Sequence, residues 1–150
     1  MRIAIQLVLA VAIVALGYYL YFSITDPGRQ YERQLELTDL TRERMQHIRT
    51  ALISFEREND YYTADLDSLV AYVKGDSLLV AKQDSVFQLE AGQTLMVDSL
   101  PISPRTGNRF LLSVNDTSDV DIYLLEDPDS DDRIGAAEPI ASMRNAASWE

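Results

Sequence analysis

The chain has no cysteine, one histidine and one tryptophan in 150 residues. Without cysteine there are no disulfides, no thiolate zinc sites and no thiol nucleophile, whatever the compartment. With His47 alone, a histidine-rich metal centre is excluded. A Ser–His–Asp triad would have to recruit His47 from inside a helical stretch, and no G-x-S-x-G elbow occurs anywhere. Positive charge is also scarce: 13 Lys and Arg stand against 24 Asp and Glu, a formal net charge of −11. Nothing in that balance would neutralise phosphates, so nucleic acid is not an expected partner. The excess is concentrated beyond Phe110, where Arg133 and Arg144 are the only basic residues. Enzymatic chemistry would need paired carboxylates, and none are paired recognisably; the expected function is non-enzymatic.

What is present begins with Ile3–Ile24, a run without a charged residue in which Gln6 is the one strongly polar side chain. As a helix its roughly 22 residues would extend about 33 Å, slightly more than a ~30 Å hydrocarbon core. Tyr18, Tyr19, Tyr21 and Phe22 gather at its C-terminal end, where aromatic rings favour the membrane–water interface. The expectation is a single membrane anchor over residues 1–24, with the lipid bilayer as its partner. A cleaved signal peptide is the competing reading, because Arg2 gives a basic start and Ala15-Leu16-Gly17 a small-residue site. The apolar run continues well past that point, which favours retention. Charge bias does not orient the span, since Arg29 and Arg33 lie close behind it.

Asp26-Pro27-Gly28 predicts a break, because proline disfavours helix for the residue before it and glycine loosens the residues after it. Residues 25–58 then form a helical stalk and core helix. Met45, Ile48, Leu52 and Phe55 recur at steps of three, four and three, giving one apolar stripe that should pack on a domain. The a/d pattern also permits self-association as a coiled coil, over barely two heptads. Asn59-Asp60 should end this helix. Residues 59–150 complete the domain. Thr63 is expected to cap a second helix with Asp65 and Asp67 in its first turn, Leu66, Leu69, Val70 and Val73 on its buried face, and Lys74-Gly75 as its stop. Short strands are expected at Leu78–Val80, Val86–Leu89 and Thr94–Val97, and an antiparallel pair at Arg109–Val114 and Val120–Leu125. Trp149 is expected to plug the core. The fold class is α+β: an N-terminal transmembrane helix, a long amphipathic helix, a short second helix and a small antiparallel sheet.

Two stretches carry a resemblance. Arg49–Val70 includes Ala51-Leu52-x-x-Phe55, Asn59-Asp60-x-Tyr62 and Leu66-x-x-Leu69-Val70. The second is Pro101-x-x-Pro104-x-Thr106-Gly107-x-x-Phe110. In this order they resemble the helix end, loop and sheet-entry turn of pseudopilins of type II secretion, and of type IV pilin-like proteins generally. The chain also resembles uncharacterised bacterial single-pass membrane proteins with the same anchor–helix order and a Trp-Glu end. The resemblance implies a pilin-like fold and a structural or assembly role beside other envelope-complex proteins. It implies an anchor in the bacterial inner membrane, with the domain periplasmic (N-in, C-out). The pseudopilin processing site, Gly-Phe ahead of the apolar helix, and its early Glu are missing here: no Gly precedes Gly17 and no Glu precedes Glu32. The span therefore reads as a permanent anchor.

One constellation suggests chemistry. From Asp127 to Glu138, carboxylates fall at positions one (Asp127), three (Asp129), five (Asp131) and twelve (Glu138), the spacing of a calcium loop. Major pseudopilins bind calcium in a C-terminal loop, so the resemblance adds weight to calcium as a cofactor. Position six is Asp132 instead of Gly, and Pro128 stiffens position two; an acidic hairpin turn accounts for the same residues. A membrane-tethered calcium- or ligand-binding module is the alternative function.

Overall fold

The computed structural model describes residues 1–81, 83–87, 95–116, 121–138 and 143–150, and leaves the side chains of 24–27, 78 and 84 undescribed. The chain divides into two compact units, Met1–Leu37 and Thr38–Glu150. The first is the N-terminal part of helix α1 (Arg2–Asn59), along which every described side chain from Ile3 to Phe22 is exposed. It is long and apolar enough to cross a membrane. Exposure of so large an apolar surface to water would be heavily unfavourable, whereas lipid accepts it without cost. The helix runs on through Asp26-Pro27-Gly28, where the sequence predicts a break. Proline removes one i→i−4 hydrogen bond from this turn, and the helix continues through it to Asn59.

The second unit is built on the C-terminal part of α1. Thr41, Met45, Ile48, Ala51 and Leu52 are fully buried and Phe55 nearly so, at the three- and four-residue steps of one helix face. Asp60, at φ 64, ends the helix by taking the left-handed conformation, and its N–H donates to the Glu56 carbonyl (2.8 Å). Helix α2 (Leu66–Gly75) buries Leu66, Leu69 and Val73. Its cap is Asp65, whose carboxylate accepts from the N–H groups of Asp67 and Ser68; Thr63, expected in that role, instead accepts from the Asp65 N–H (3.2 Å) and shapes the approach.

Leu78–Val80 belongs to helix α3 (Ser77–Ala81), not to a strand. The reason is Asp76, whose carboxylate accepts from the Leu79 N–H (3.3 Å) and makes a helix start of a stretch with good strand propensity. Val86 likewise ends a short helix, α4 (Gln83–Val86), and Val97 opens a 3-10 turn (Val97–Ser99). Residues 88, 89, 94 and 120 of the expected strands lie outside the described residues.

The expected antiparallel pair is present as β1 (Leu111–Asn115) and β2 (Ile122–Glu126), and β3 (Arg133–Gly135) joins β2 to give the order β1-β2-β3. Leu112 pairs with Leu125 and Val114 with Tyr123, so one face of the hairpin carries apolar side chains. These close on the α1 and α2 residues in a single buried cluster that includes Tyr123, Leu125 and Ile134, with Trp149 half-buried against it. The fold of this unit is α+β. Gly135 is obligatory: at φ +91 an added Cβ would lie 2.1 Å from the Tyr123 carbonyl oxygen.

Candidate functional site

The acidic turn after β2 and the Pro101–Phe110 turn before β1 meet in one polar cluster. The Pro-rich turn is shaped by its own backbone: the Ser103 N–H donates to the Asn108 carbonyl (2.7 Å) and the Gly107 N–H to the Ser103 carbonyl (2.9 Å), with Gly107 at φ +80. This projects Arg105, Thr106 and Asn108 toward the acidic residues. Arg105 donates from Nη1 to Asp127 Oδ2 (3.1 Å) and from Nη2 to Asp132 Oδ2 (2.9 Å). The other oxygen of Asp132 accepts from Nη2 (2.9 Å) and Nε (3.2 Å) of Arg42 on α1. A chain Asp127–Arg105–Asp132–Arg42 results, continued by Trp149, whose ring lies 5.2 Å beneath the Arg42 guanidinium.

The electrostatics derive from burial. The Asp127 side chain is fully inaccessible. Its Oδ2 also accepts from the Ser130 hydroxyl (2.8 Å), while its Oδ1 has no hydrogen-bond partner among the described residues. Burial works against the charge on Asp132, and the hydrogen bonds from Arg42 and Arg105 outweigh it, holding the carboxyl below its usual value. Asp129 is exposed and accepts from the Thr106 hydroxyl (2.5 Å) and the Asn108 amide (2.8 Å), which lower its pKa in that order.

The four carboxylates singled out by spacing are therefore distributed. Asp127 faces Arg105, Asp129 faces Thr106 and Asn108, and Asp131 and Glu138 are exposed. Among the described residues, no three Asp, Glu or His side chains converge as a cation would require. The donor set does not fit a calcium shell: two guanidinium groups supply the positive charge that the turn needs. Spacing alone missed Arg105 and Arg42, because the basic partners lie far off in sequence. The one signal available was the scarcity of basic residues beyond Phe110, which requires neutralisation from elsewhere.

A second cluster ties down the C-terminal segment. Arg144 donates to the Tyr62 hydroxyl (2.8 Å from Nη2, 3.0 Å from Nε) and to Glu56 (2.7 Å). The Tyr62 ring stands edge-on to Tyr123, whose hydroxyl donates to Asn145 (3.0 Å). Burial raises the pKa of both tyrosines. Arg49 donates to the Asn145 carbonyl and to Glu150, each at 3.1 Å. His47 is half-buried, edge-on to Phe87 at 5.8 Å, and burial lowers its pKa. Compared with known protein families, curated proteins and solved structures, the chain matches none.

Proposed function

We propose that this protein is a non-enzymatic, pseudopilin-like structural or assembly component of a bacterial secretion or pilus-type envelope system. It is held permanently in the inner membrane by Ile3–Ile24, a single pass, with the domain in the periplasm. The observation that carries the reading is the division of labour along α1. Its first part exposes an apolar and aromatic surface from Ile3 to Phe22, and its last part buries Met45, Ile48, Leu52 and Phe55 in the core of a small α+β domain. A helix that serves as anchor at one end and core element at the other suits a protein that works at the membrane by contact. The two pseudopilin-like stretches support it further. Arg49–Val70 supplies the core helix end and the first half of α2, and Pro101–Phe110 is the turn that leads into β1 and grips the acidic loop.

In-membrane cross-linking of the full chain in its native bacterium tests the role. Adducts with other envelope proteins are expected; monomer alone across several cross-linker lengths would overturn it. Protease added to spheroplasts should remove the domain, while protection there and digestion only after lysis would reverse the orientation.

A further inference from the structure

Beside the Asp132–Arg42–Trp149 wall lies an open cavity of about 440 Å³, lined among others by Glu126, Asp131, Asp132, Arg133, Ser148 and Trp149. That volume is in the ~300–1,000 Å³ range of small-ligand sites. Its wall is already committed: Asp132 is shared between Arg42 and Arg105, and Arg42 lies over Trp149. Its rim is uncommitted. Among the described residues, the side chains of Glu126, Asp131 and Arg133 form no ion pair. Glu126 and Arg133 nevertheless stand opposite each other in the β2–β3 register.

We propose that this cavity recognises a basic side chain, an arginine or lysine presented by a partner protein. With Asp132 and Arg42 committed to each other, two uncommitted carboxylates, Glu126 and Asp131, line it against one uncommitted guanidinium, that of Arg133. The chain's net charge of −11 draws cations toward it and repels anions. A guanidinium or ammonium head would sit between Glu126 and Asp131, with its aliphatic stem along the Trp149 edge. Arg133, opposite Glu126 on the neighbouring strand, is then an internal competitor whose own positive charge opposes that of a bound ligand. The inference stands on the cavity and is independent of the pilin-like reading.

The single tryptophan reports on the cavity directly. Full chain in an uncharged detergent is titrated with N-acetyl-arginine-amide, following Trp149 fluorescence, with the uncharged isostere N-acetyl-citrulline-amide as comparison. A saturable change is expected with the arginine amide only. Glu126→Gln or Asp131→Asn should weaken it by about fivefold, the scale of one exposed ion pair. Arg133→Gln should strengthen it, and Asp116→Asn, remote from the cavity lining, should leave it unchanged. Equal responses to the two amides, no saturable response, or uniform weakening by every carboxylate change would overturn the site. Because Arg133 is exposed, its replacement leaves the fold intact, and failure of Arg133→Gln to tighten binding would count against the competitor role and the site with it.

Discussion

Replacing Arg105 by methionine would remove the cation from between Asp127 and Asp132 while keeping a long apolar stem. Asp132 retains Arg42 at 2.9 Å, so its loss is partial. Asp127 has no second cation among the described residues: its side chain is fully inaccessible, one oxygen would keep only Ser130, and the other is already unpaired. Removing one partner of a buried pair costs about 3–5 kcal/mol, mainly for the charge left behind. Arg105 itself is 21% exposed, which lets solvent soften the penalty, so the lower end, about 3 kcal/mol, applies. For a unit of this size that lowers Tm by roughly 10–15 °C. The assay is thermal and urea unfolding of full chain in uncharged detergent for Arg105→Met, Asp127→Asn and the double variant. If the aspartate is the source of the cost, the double variant should recover much of it, with a coupling of about 1.5–2 kcal/mol. The sign of the pH dependence comes from Asp132, whose folded pKa is depressed below 3.8. Its contribution is complete above that value and is lost as pH falls through the lower folded one, so wild type and Arg105→Met should converge in acid. A cost below about 1 kcal/mol, or strictly additive variants, would refute the idea that arginine holds this loop.

Gly135→Ala should be at least as damaging, about 3 kcal/mol or more, because a Cβ at φ +91 meets the Tyr123 carbonyl at 2.1 Å and backbone must move; denaturant unfolding checks it, and a loss under 1 kcal/mol would contradict the geometry. Asp65→Ala should cost about 1 kcal/mol through loss of the α2 cap, and Thr63→Ala less, read from urea midpoints. Millimolar calcium should leave the Tm of full chain unchanged, since guanidinium groups already occupy the inner acidic residues. A rise of several degrees specific to calcium over magnesium would instead restore the calcium loop.

Much of the fold was legible where it depended on local pattern. The apolar run, the stripe at Met45, Ile48, Leu52 and Phe55, the stop at Asn59-Asp60 and the β1–β2 hairpin each arise from periodicity or turn chemistry within a few residues. Illegible parts were of two kinds. Leu78–Val80 has the composition of a strand, and one capping carboxylate, Asp76, decides for helix. β3 is only three residues long, too short for any period, and exists because Gly135 permits close approach to Tyr123 and because Ala147 bridges to Ile134.

The polar cluster failed to be legible for a different reason, and the reason bears on what the acidic turn is for. A calcium loop is a local device: its ligands lie within a dozen residues, so spacing can reveal it. An arginine-held loop is non-local. Arg42 and Asp132 are joined across 90 residues and Arg105 and Asp127 across 22, and nothing in the spacing of one partner specifies the other. The two devices also differ in consequence. A metal-held loop would open when the ion is removed. A loop held by Arg42 and Arg105 is fixed to the core helix and to the sheet-entry turn by the chain itself, so its order depends on pH and on the integrity of the fold rather than on a free ion. Thus the acidity beyond Phe110 serves two ends. Asp127 and Asp132 are spent internally, docking the turn, while Glu126 and Asp131 remain at the cavity rim, where a partner's basic side chain would find them.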